Sequence, residues 1–170
     1  MADQVLSPFF AGTGIFQREP TTHCPLPTAH YPMPTNHWLV KTEPSTYSFA
    51  DLQRDRRTTW DGVSSAAALI HLRAMRKGDE VLVYHSGAEK SVVGLARLAS
   101  DPYPDPRLDD PRRVVVDLVP VKALPRPVPL AAVKSDRRFA DFALVRISRL
   151  SVMPVSAAQW EELLKLGGGG

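Results

Sequence analysis

The sequence predicts an α+β domain whose sheet is curled and mainly antiparallel, with short helices packed at its ends. Two observations support this prediction. Apolar runs with strand character outnumber the long helical segments, and they follow one another as hairpins rather than as repeated strand–helix–strand units. The chain has 170 residues, which is the length of one ordinary domain.

Proline separates the front of the chain from the rest. Residues 1–37 hold six of the 16 prolines but only three charged side chains. Proline lacks a backbone N–H and restricts the residue before it, so the segment 1–36 is predicted to be an irregular, flexible leader. Met33 stands just before the folded pattern. We therefore expect Met33 to be a candidate native start, with residues 1–32 dispensable.

The first strand and the first helix follow that boundary. The apolar run HWLVK over 37–41 predicts a short strand, which Pro44 ends. Ser48 followed three residues later by Asp51 predicts a capping box, in which each residue bonds the backbone N–H of the other. This box is expected to open a helix that reaches about Arg54.

A second helix and a hairpin come next. Apolar residues at a spacing of three predict a helix over 66–76, and Gly78 supplies its stop. The runs EVLVYHS (80–86) and SVVGLARLA (91–99) predict two strands joined by a turn that contains Gly87. The remaining predictions are a loop over 101–112, a valine-rich strand over 112–124, a helix over 130–134, a strand over 146–155, a capping box of Ser156 with Gln159, a helix over 157–166 and a flexible glycine tail over 167–170.

Composition limits the function classes. The formal net charge is +3, a mild basic bias that is compatible with a nucleic-acid partner. Cys24 is the single cysteine, so we expect neither a disulfide framework nor a thiol metal site, which suits a reducing cytoplasm. No run approaches the roughly 20 apolar residues of a membrane helix. We expect no membrane association and no metal.

Motifs of common enzymes are missing from the sequence. The Gly12-Thr13-Gly14 run lacks the third glycine of a phosphate-binding loop and a strand before it. No His-x-x-x-His or Cys-x-x-Cys spacing suggests zinc, and no Gly-x-Ser-x-Gly elbow suggests a hydrolase. His71 fits a helix surface better than a catalytic role. We expect no catalytic residue and no cofactor.

Three short clusters combine aromatic and polar groups: 41–43 at the end of the first strand, 60–63 at a glycine turn, and 84–86 at the end of a later strand. Each has a structural explanation, namely a strand-edge ion pair, a core tryptophan beside a helix cap, and an ordinary polar strand end. Together they supply an aromatic face, a carboxylate, an imidazole and hydroxyls. Such groups can hold a planar polar ring by stacking and edge hydrogen bonds.

The order of these clusters resembles the EVE domain family. The resemblance covers 37–166, nearly all of the predicted folded part. It depends on the following motifs in order: Trp38-Leu39-x-Lys41-x-Glu43-Pro44, Tyr47-Ser48, Asp51-Leu52, Trp60-Asp61-Gly62-Val63, Tyr84-His85-Ser86, Gly94, Tyr103-Pro104-Asp105, Arg146-x-Ser148-Arg149-Leu150-Ser151-Val152-x-Pro154-Val155 and Trp160.

The resemblance implies a PUA-like fold, which is a curled mixed, mainly antiparallel β-barrel with peripheral helices. It also implies a non-enzymatic module that recognises a modified base in DNA or RNA. The resemblance places the family's binding pocket at the matching positions of this sequence. It also implies that Arg146 and Arg149 pair with phosphate or with the pocket carboxylates. The implied binding residues are Lys41, Thr42, Glu43, Trp60, Asp61, Gly62, Val63, Tyr84, His85, Ser86, Arg146 and Arg149.

The chain departs from the family pattern after Val63. The family continues with arginine and asparagine, the side chains best suited to bidentate contacts with bases or phosphates. Here Ser64 and Ser65 stand in their place, and a helix-capping role is one explanation for them.

The leading hypothesis is recognition of an extruded base, with Trp60 or Tyr84 stacked on the ring and Asp61, His85 and Ser86 on its edge. Two alternatives remain at this point. One is a small-molecule binder or hydrolytic enzyme on the same scaffold, and the other is an adaptor with an exposed apolar patch.

Overall fold

The computed structural model describes residues 36–169. The predicted leader and the candidate start at Met33 lie outside the described residues, apart from Asn36. Within these described residues, seven strands form one sheet, and five helices pack around it. Across 36–169, no helix has both the length and the apolar character needed to cross a membrane.

The strands are β1 His37–Thr42, β2 Thr58–Trp60, β3 Glu80–His85, β4 Ser91–Leu98, β5 Tyr103–Pro104, β6 Val114–Pro129 and β7 Val152–Val155. The helices are α1 Phe49–Asp55, α2 Ala66–Ala74, α3 Leu130–Ser135, α4 Ala143–Arg146 and α5 Ala157–Leu166, with a 3-10 turn at Arg137–Phe139.

The sheet is a curled half-barrel with the strand order β2-β6-β4-β3-β1-β7, and β5 pairs with β6 beside this path. Every pairing is antiparallel except that of β1 with β3. The register shifts once between β3 and β4 and twice between β4 and β6. Such irregularities bend strands and increase their twist. The predicted α+β class, with a mixed and mainly antiparallel curled sheet, is confirmed.

The parallel pair brings two of the sequence clusters together. Lys41 is opposite Tyr84, and Thr42 is opposite His85. The backbone N–H of Ser86 donates to the Thr42 carbonyl at 2.8 Å, so the contact continues past the strand ends. Parallel strands end at the same edge of a sheet, so the crossover that contains α1, β2 and α2 carries the chain from that edge back to the opposite end, where β3 begins.

One buried carboxylate anchors the opposite end of this pair. Asp79 is 5% exposed. It accepts a hydrogen bond from the indole Nε1 of Trp38 at 2.9 Å and one from the backbone N–H of Arg76 at 2.9 Å. The charge is thereby satisfied by donors from β1 and from the chain that follows α2. Both capping boxes, Ser48 with Asp51 and Ser156 with Gln159, are confirmed.

The strand β6 is longer than the sequence predicts, because it continues to Pro129. Its prolines at 125, 127 and 129 alternate with residues that keep an N–H. Arg126 donates to the Gly167 carbonyl at 3.0 Å, and Leu130, just beyond the strand, donates to the Lys90 carbonyl at 2.7 Å. Because the prolines alternate with other residues, backbone N–H donors remain at the positions where β6 forms hydrogen bonds with its neighbours. Gly169 of the predicted flexible tail donates to the Leu164 carbonyl at 2.8 Å.

Three other predictions of secondary structure are wrong. The strand predicted over 146–155 begins only at Val152, because the ladder with β1 pairs residues 152–155 and continues before them only as the bond from the Lys41 N–H to the Ser151 carbonyl. Of the preceding residues, Arg146 ends α4 and 147–151 form a turn. The helix α2 ends at Ala74, since Met75 is extended. The sequence pattern predicts a loop where β5 lies and no element where β2 lies, and each of these short strands depends on pairing with β6.

Gly94 is required by close packing. It lies in β4, next to a shift in register, and a Cβ added there would overlap the ring of Phe49. That ring is itself buried, at 4% exposure. Phe49 begins α1, so this contact positions α1 against the middle of the sheet.

We predict that Gly94→Ala lowers the free energy of unfolding by about 1–3 kcal/mol, because it overpacks the core. Urea unfolding measures the loss. Phe49→Leu provides the control, since it removes the ring from the path of the new methyl group. The double variant should then lose less than the sum of the two single variants. Strict additivity would contradict the close contact.

Candidate functional site

A cavity of about 490 Å³ opens where β1, β2 and the turn after β2 meet, and we call it the main cavity. Seven of the residues predicted for binding line it. They come from the first and second clusters of the sequence. The lining residues are Lys41, Thr42, Glu43, Thr46, Tyr47, Thr58, Thr59, Trp60, Asp61, Gly62, Val63 and Ser151.

Trp60 forms the aromatic wall of the main cavity. It is the last residue of β2 and is paired with Val116 of β6. Most of the indole is packed in the core, and 8% of the residue remains exposed. The turn that follows needs Gly62, whose φ of +73° is rarely adopted by other residues. The cavity wall is therefore rigid at Trp60, and the turn leaves open space at Gly62.

Asp61 lies next to the indole and forms an ion pair with Arg107. Arg107 comes from the loop after β5, and its backbone N–H donates to Asp105 Oδ1 at 3.0 Å. Asp105 is buried at 5% exposure. The buried carboxylate thus holds the loop that brings a guanidinium to the rim of the main cavity. The alternative in which Asp61 caps a helix is not observed.

A buried network fixes β2 beneath the main cavity. Asp117 of β6 accepts hydrogen bonds from Thr59 Oγ1 at 3.0 Å, from the Tyr103 hydroxyl at 2.9 Å and from Arg57 at 2.5 Å. Burial acts to raise the pKa of Asp117, but these three donors hold it below its ordinary value. The carboxylate is therefore ionised at neutral pH.

Lys41 stands between the main cavity and a second one. Its ammonium donates to the Ser148 carbonyl at 2.8 Å and lies 5.8 Å from the centre of the Tyr84 ring. Burial lowers the pKa of Lys41 below its ordinary value. The side chain lines both cavities, so its charge is available to a ligand on either side.

The second cavity has a volume of about 300 Å³. Tyr84 and Ser86 line this cavity rather than the main one, and burial raises the pKa of the Tyr84 phenol. Tyr84 is only 4% exposed, with the Lys41 ammonium over its ring. The complete lining is Lys41, Tyr84, Ser86, Gly87, Lys90, Leu130, Lys134, Leu144, Val145 and Ser148.

Glu43 links the two cavities along the strand ends. Its Oε2 accepts a hydrogen bond from the Ser86 hydroxyl at 2.9 Å. A Cβ on Gly87, which has a φ of +69°, would overlap the same carboxylate. The hydroxyl of Thr42 donates to the Tyr47 carbonyl at 2.7 Å, so this side chain holds the loop between β1 and α1.

His85 has a structural environment outside both cavities. It is 6% exposed, and its Nε2 accepts a hydrogen bond from the backbone N–H of Phe49 at 2.9 Å. The other nitrogen, Nδ1, lies 2.5 Å from Glu89 Oε2. Since Nε2 accepts, Nδ1 carries the proton in this arrangement. The imidazole joins the start of α1 to the turn after β3.

The predicted arginines are also outside the two cavities. Arg146 is exposed in α4 and pairs with Asp141 at 2.9 Å, and Arg149 is exposed three residues later. Ser65 occupies the position before α2, but its side chain makes no capping hydrogen bond. The capping explanation for that serine is therefore wrong.

Sequence reasoning missed the cations that converge from distant segments. Arg107 reaches Asp61 of the main cavity from a loop, and Lys90 and Lys134 reach the second cavity from a turn and from α3. None of them lies in a recognised motif. Within 36–169, no group of three or more histidine, cysteine, aspartate or glutamate residues is arranged to hold a metal ion.

Comparison with known proteins identifies relatives of this chain. The EVE domain family model matches residues 36–166. Thymocyte nuclear protein 1 of Homo sapiens is 30% identical over 162 residues, covering 75% of this chain and 72% of that protein. Rpa0253 from Rhodopseudomonas palustris is 43% identical with a TM-score of 0.75, covering 78% of this chain and 93% of that one. The structure of human THYN1 protein in complex with 5-methylcytosine containing DNA is 29% identical with a TM-score of 0.71, and the match covers 78% of this chain and 97% of that one.

We predict that Asp117→Asn lowers the free energy of unfolding by about 1–3 kcal/mol at pH 7, because a buried, charge-assisted network loses its ionised acceptor. The pKa of Asp117 is lowered by folding, so its contribution is complete above the unfolded pKa of about 3.9. The contribution disappears as pH falls through the folded value.

Urea unfolding from pH 7 to pH 3 measures this dependence. The difference between the native protein and Asp117→Asn should narrow below about pH 4. Asp109→Asn, at an exposed position of the 105–113 loop, is the control and should track the native protein at every pH. A difference that stays constant down to pH 3 would show that the carboxylate charge is not what stabilises β2.

Proposed function

The chain belongs to the EVE domain family, and from this premise we propose that it is a non-enzymatic nucleic-acid-binding domain that recognises one modified base in the main cavity. The observation that supports the proposal is the adjacency of Trp60 and Asp61 at the end of β2, with Lys41 also lining the cavity. A nucleobase can stack on the aromatic wall, and its edge can form hydrogen bonds with the carboxylate and the ammonium.

The size of the main cavity suits one base and its sugar. Its volume of about 490 Å³ lies in the usual range of about 300–1,000 Å³ for sites that enclose small ligands. A base inside a duplex cannot reach such a site, so it must be extruded or supplied by a single strand. Trp60 then stacks on the ring, a contact worth about 1–3 kcal/mol in single-strand binders.

The carboxylate of Asp61 favours a base that carries an exocyclic amino group, such as cytosine, over thymine. A carboxylate accepts hydrogen bonds but donates none, and the exocyclic N4 amino group of cytosine is a donor on the edge that such an acceptor reads. Val63 adds an apolar side chain to the same cavity, which suits a methyl group on the base. The human relative bound to 5-methylcytosine containing DNA supports the choice of a cytosine derivative.

Arg107 does not prevent this use of Asp61. The two side chains are 62% and 40% exposed, and ion pairs of that exposure contribute about 0–1 kcal/mol. A base donor can therefore replace the guanidinium at little cost. The released Arg107, together with the exposed Arg146 and Arg149, is then available to nucleic-acid phosphates.

We predict that the protein binds an oligonucleotide with one 5-methylcytosine more tightly than the same sequence with cytosine. Fluorescence anisotropy with matched DNA and RNA oligonucleotides, single- and double-stranded, measures the preference over a salt series. Affinity should fall with salt for every oligonucleotide because phosphates are contacted. Absent binding, or binding independent of salt, would contradict the proposal.

We predict that Asp61→Asn reduces the preference for cytosine derivatives over thymine about 10- to 100-fold, because one good edge contact discriminates by about 1–3 kcal/mol. Asp109→Asn changes the charge equally in the 105–113 loop and lines neither cavity, so it should keep the native preference. Equal preference in all three proteins would exclude Asp61 as the residue that reads the base edge.

A further inference from the structure

The second cavity contains three lysines and no acidic residue among its ten lining residues. Two serines supply hydroxyl and carbonyl groups, and three aliphatic side chains close the rest of the wall. A concave surface with several ammonium groups and no carboxylate has a positive potential. Its ligand is therefore an anion.

The three lysines reach the cavity from three separate parts of the fold. Lys41 is the penultimate residue of β1, Lys90 ends the turn between β3 and β4, and Lys134 lies in α3. The backbone of Lys90 has a left-handed φ of +43°, and its carbonyl accepts from Leu130 at 2.7 Å. This bond joins the turn to α3, where Leu130 and Lys134 are four residues apart and share a helix face.

The carboxylates near this edge have other partners. Glu43 accepts a hydrogen bond from the Ser86 hydroxyl, and Glu89 pairs with His85. The side chains of Lys90 and Lys134 make no ion pair with any residue of the described chain. Both ammonium groups are exposed and are free to bind an anion that enters the cavity.

We propose that this second cavity is a phosphate subsite, which holds a backbone phosphodiester of the same strand whose base occupies the main cavity. The inference rests on the proposed function. Lys41 lines both cavities, so a strand with its base on one side of this side chain passes its phosphate to the other side. Lysine is a compact point charge and binds phosphate without a fixed geometry.

The subsite assigns Tyr84 and Ser86 a new role. Tyr84 does not stack on the base, because it lines the second cavity rather than the main one and the Lys41 ammonium lies over its ring. It instead forms the floor that holds Lys41 between the two cavities. Ser86 has its hydroxyl at the mouth, where Glu43 is its present acceptor. The main cavity then selects the base, and the second cavity contributes affinity that does not depend on the base.

The test compares the double variant Lys90→Gln/Lys134→Gln with the control Lys77→Gln/Lys122→Gln, which removes the same charge from residues that line neither cavity. The probe is a single-stranded oligonucleotide with one 5-methylcytosine, bound over a salt series. Relative to the control, the double variant should bind about 10- to 100-fold more weakly. Its salt slope should be smaller by about 0.7, the value for one phosphate on a single strand. Its ratio of affinities for methylated and unmethylated probes should stay unchanged.

A neutral methylphosphonate, placed in turn at each linkage around the modified base, locates the phosphate. One position should weaken binding of the native and control proteins and leave the double variant unaffected. A double variant that matches the control, with the base preference intact, would overturn the phosphate subsite and leave the proposed function standing. Native protein that binds no oligonucleotide would overturn both. Competition by millimolar inorganic phosphate without any position-specific methylphosphonate effect would mean a free-anion site and would overturn the strand assignment.

Discussion

The parallel pairing of β1 with β3 is the constraint on which both cavities depend. In this otherwise antiparallel sheet, it aligns Lys41 with Tyr84 and continues beyond the strand ends through Ser86 and Thr42. A slip of one residue would turn every side chain of β1 to the other face. The buried Asp79, bound to the Trp38 indole, opposes such a slip from the far end. The position of Lys41 between the cavities follows from this register.

The crossover between these two strands builds the rest of the main cavity. It carries β2, whose three residues are too few to be stable alone. The short strand is held by pairing with β6 and by the donors that Asp117 collects from Thr59, Tyr103 and Arg57. Trp60, the last residue of this strand, is consequently fixed in place at the wall of the main cavity. A wall held in this way loses little conformational freedom when a planar ring packs on it.

Local patterns in the sequence were sufficient for much of the fold. The β3–β4 hairpin and both capping boxes depend on residues within a few positions of one another, and all were predicted. The helix α4 was missed because it is only four residues long and has no side-chain cap to indicate it. The strand β2 was missed because it depends on pairing with the distant strand β6. The same holds at the site. The cluster 60–63 was recognised as a unit, whereas Arg107, Lys90 and Lys134 meet the cavities only through tertiary contacts.

In the polar strand end 84–86, neighbouring residues of one motif have different roles: some line a cavity and one supports the fold. Successive residues of a strand face opposite sides, so Tyr84 and Ser86 line the second cavity, while His85 points away and holds the start of α1. A recognised motif therefore does not identify each of its members as a ligand contact. Lys41 lies above this end of β3 with a pKa lowered by burial, and removing an ammonium from water costs less when an anion lies beside it. The second cavity offers space for such an anion beside Lys41, which supports the proposed phosphate subsite.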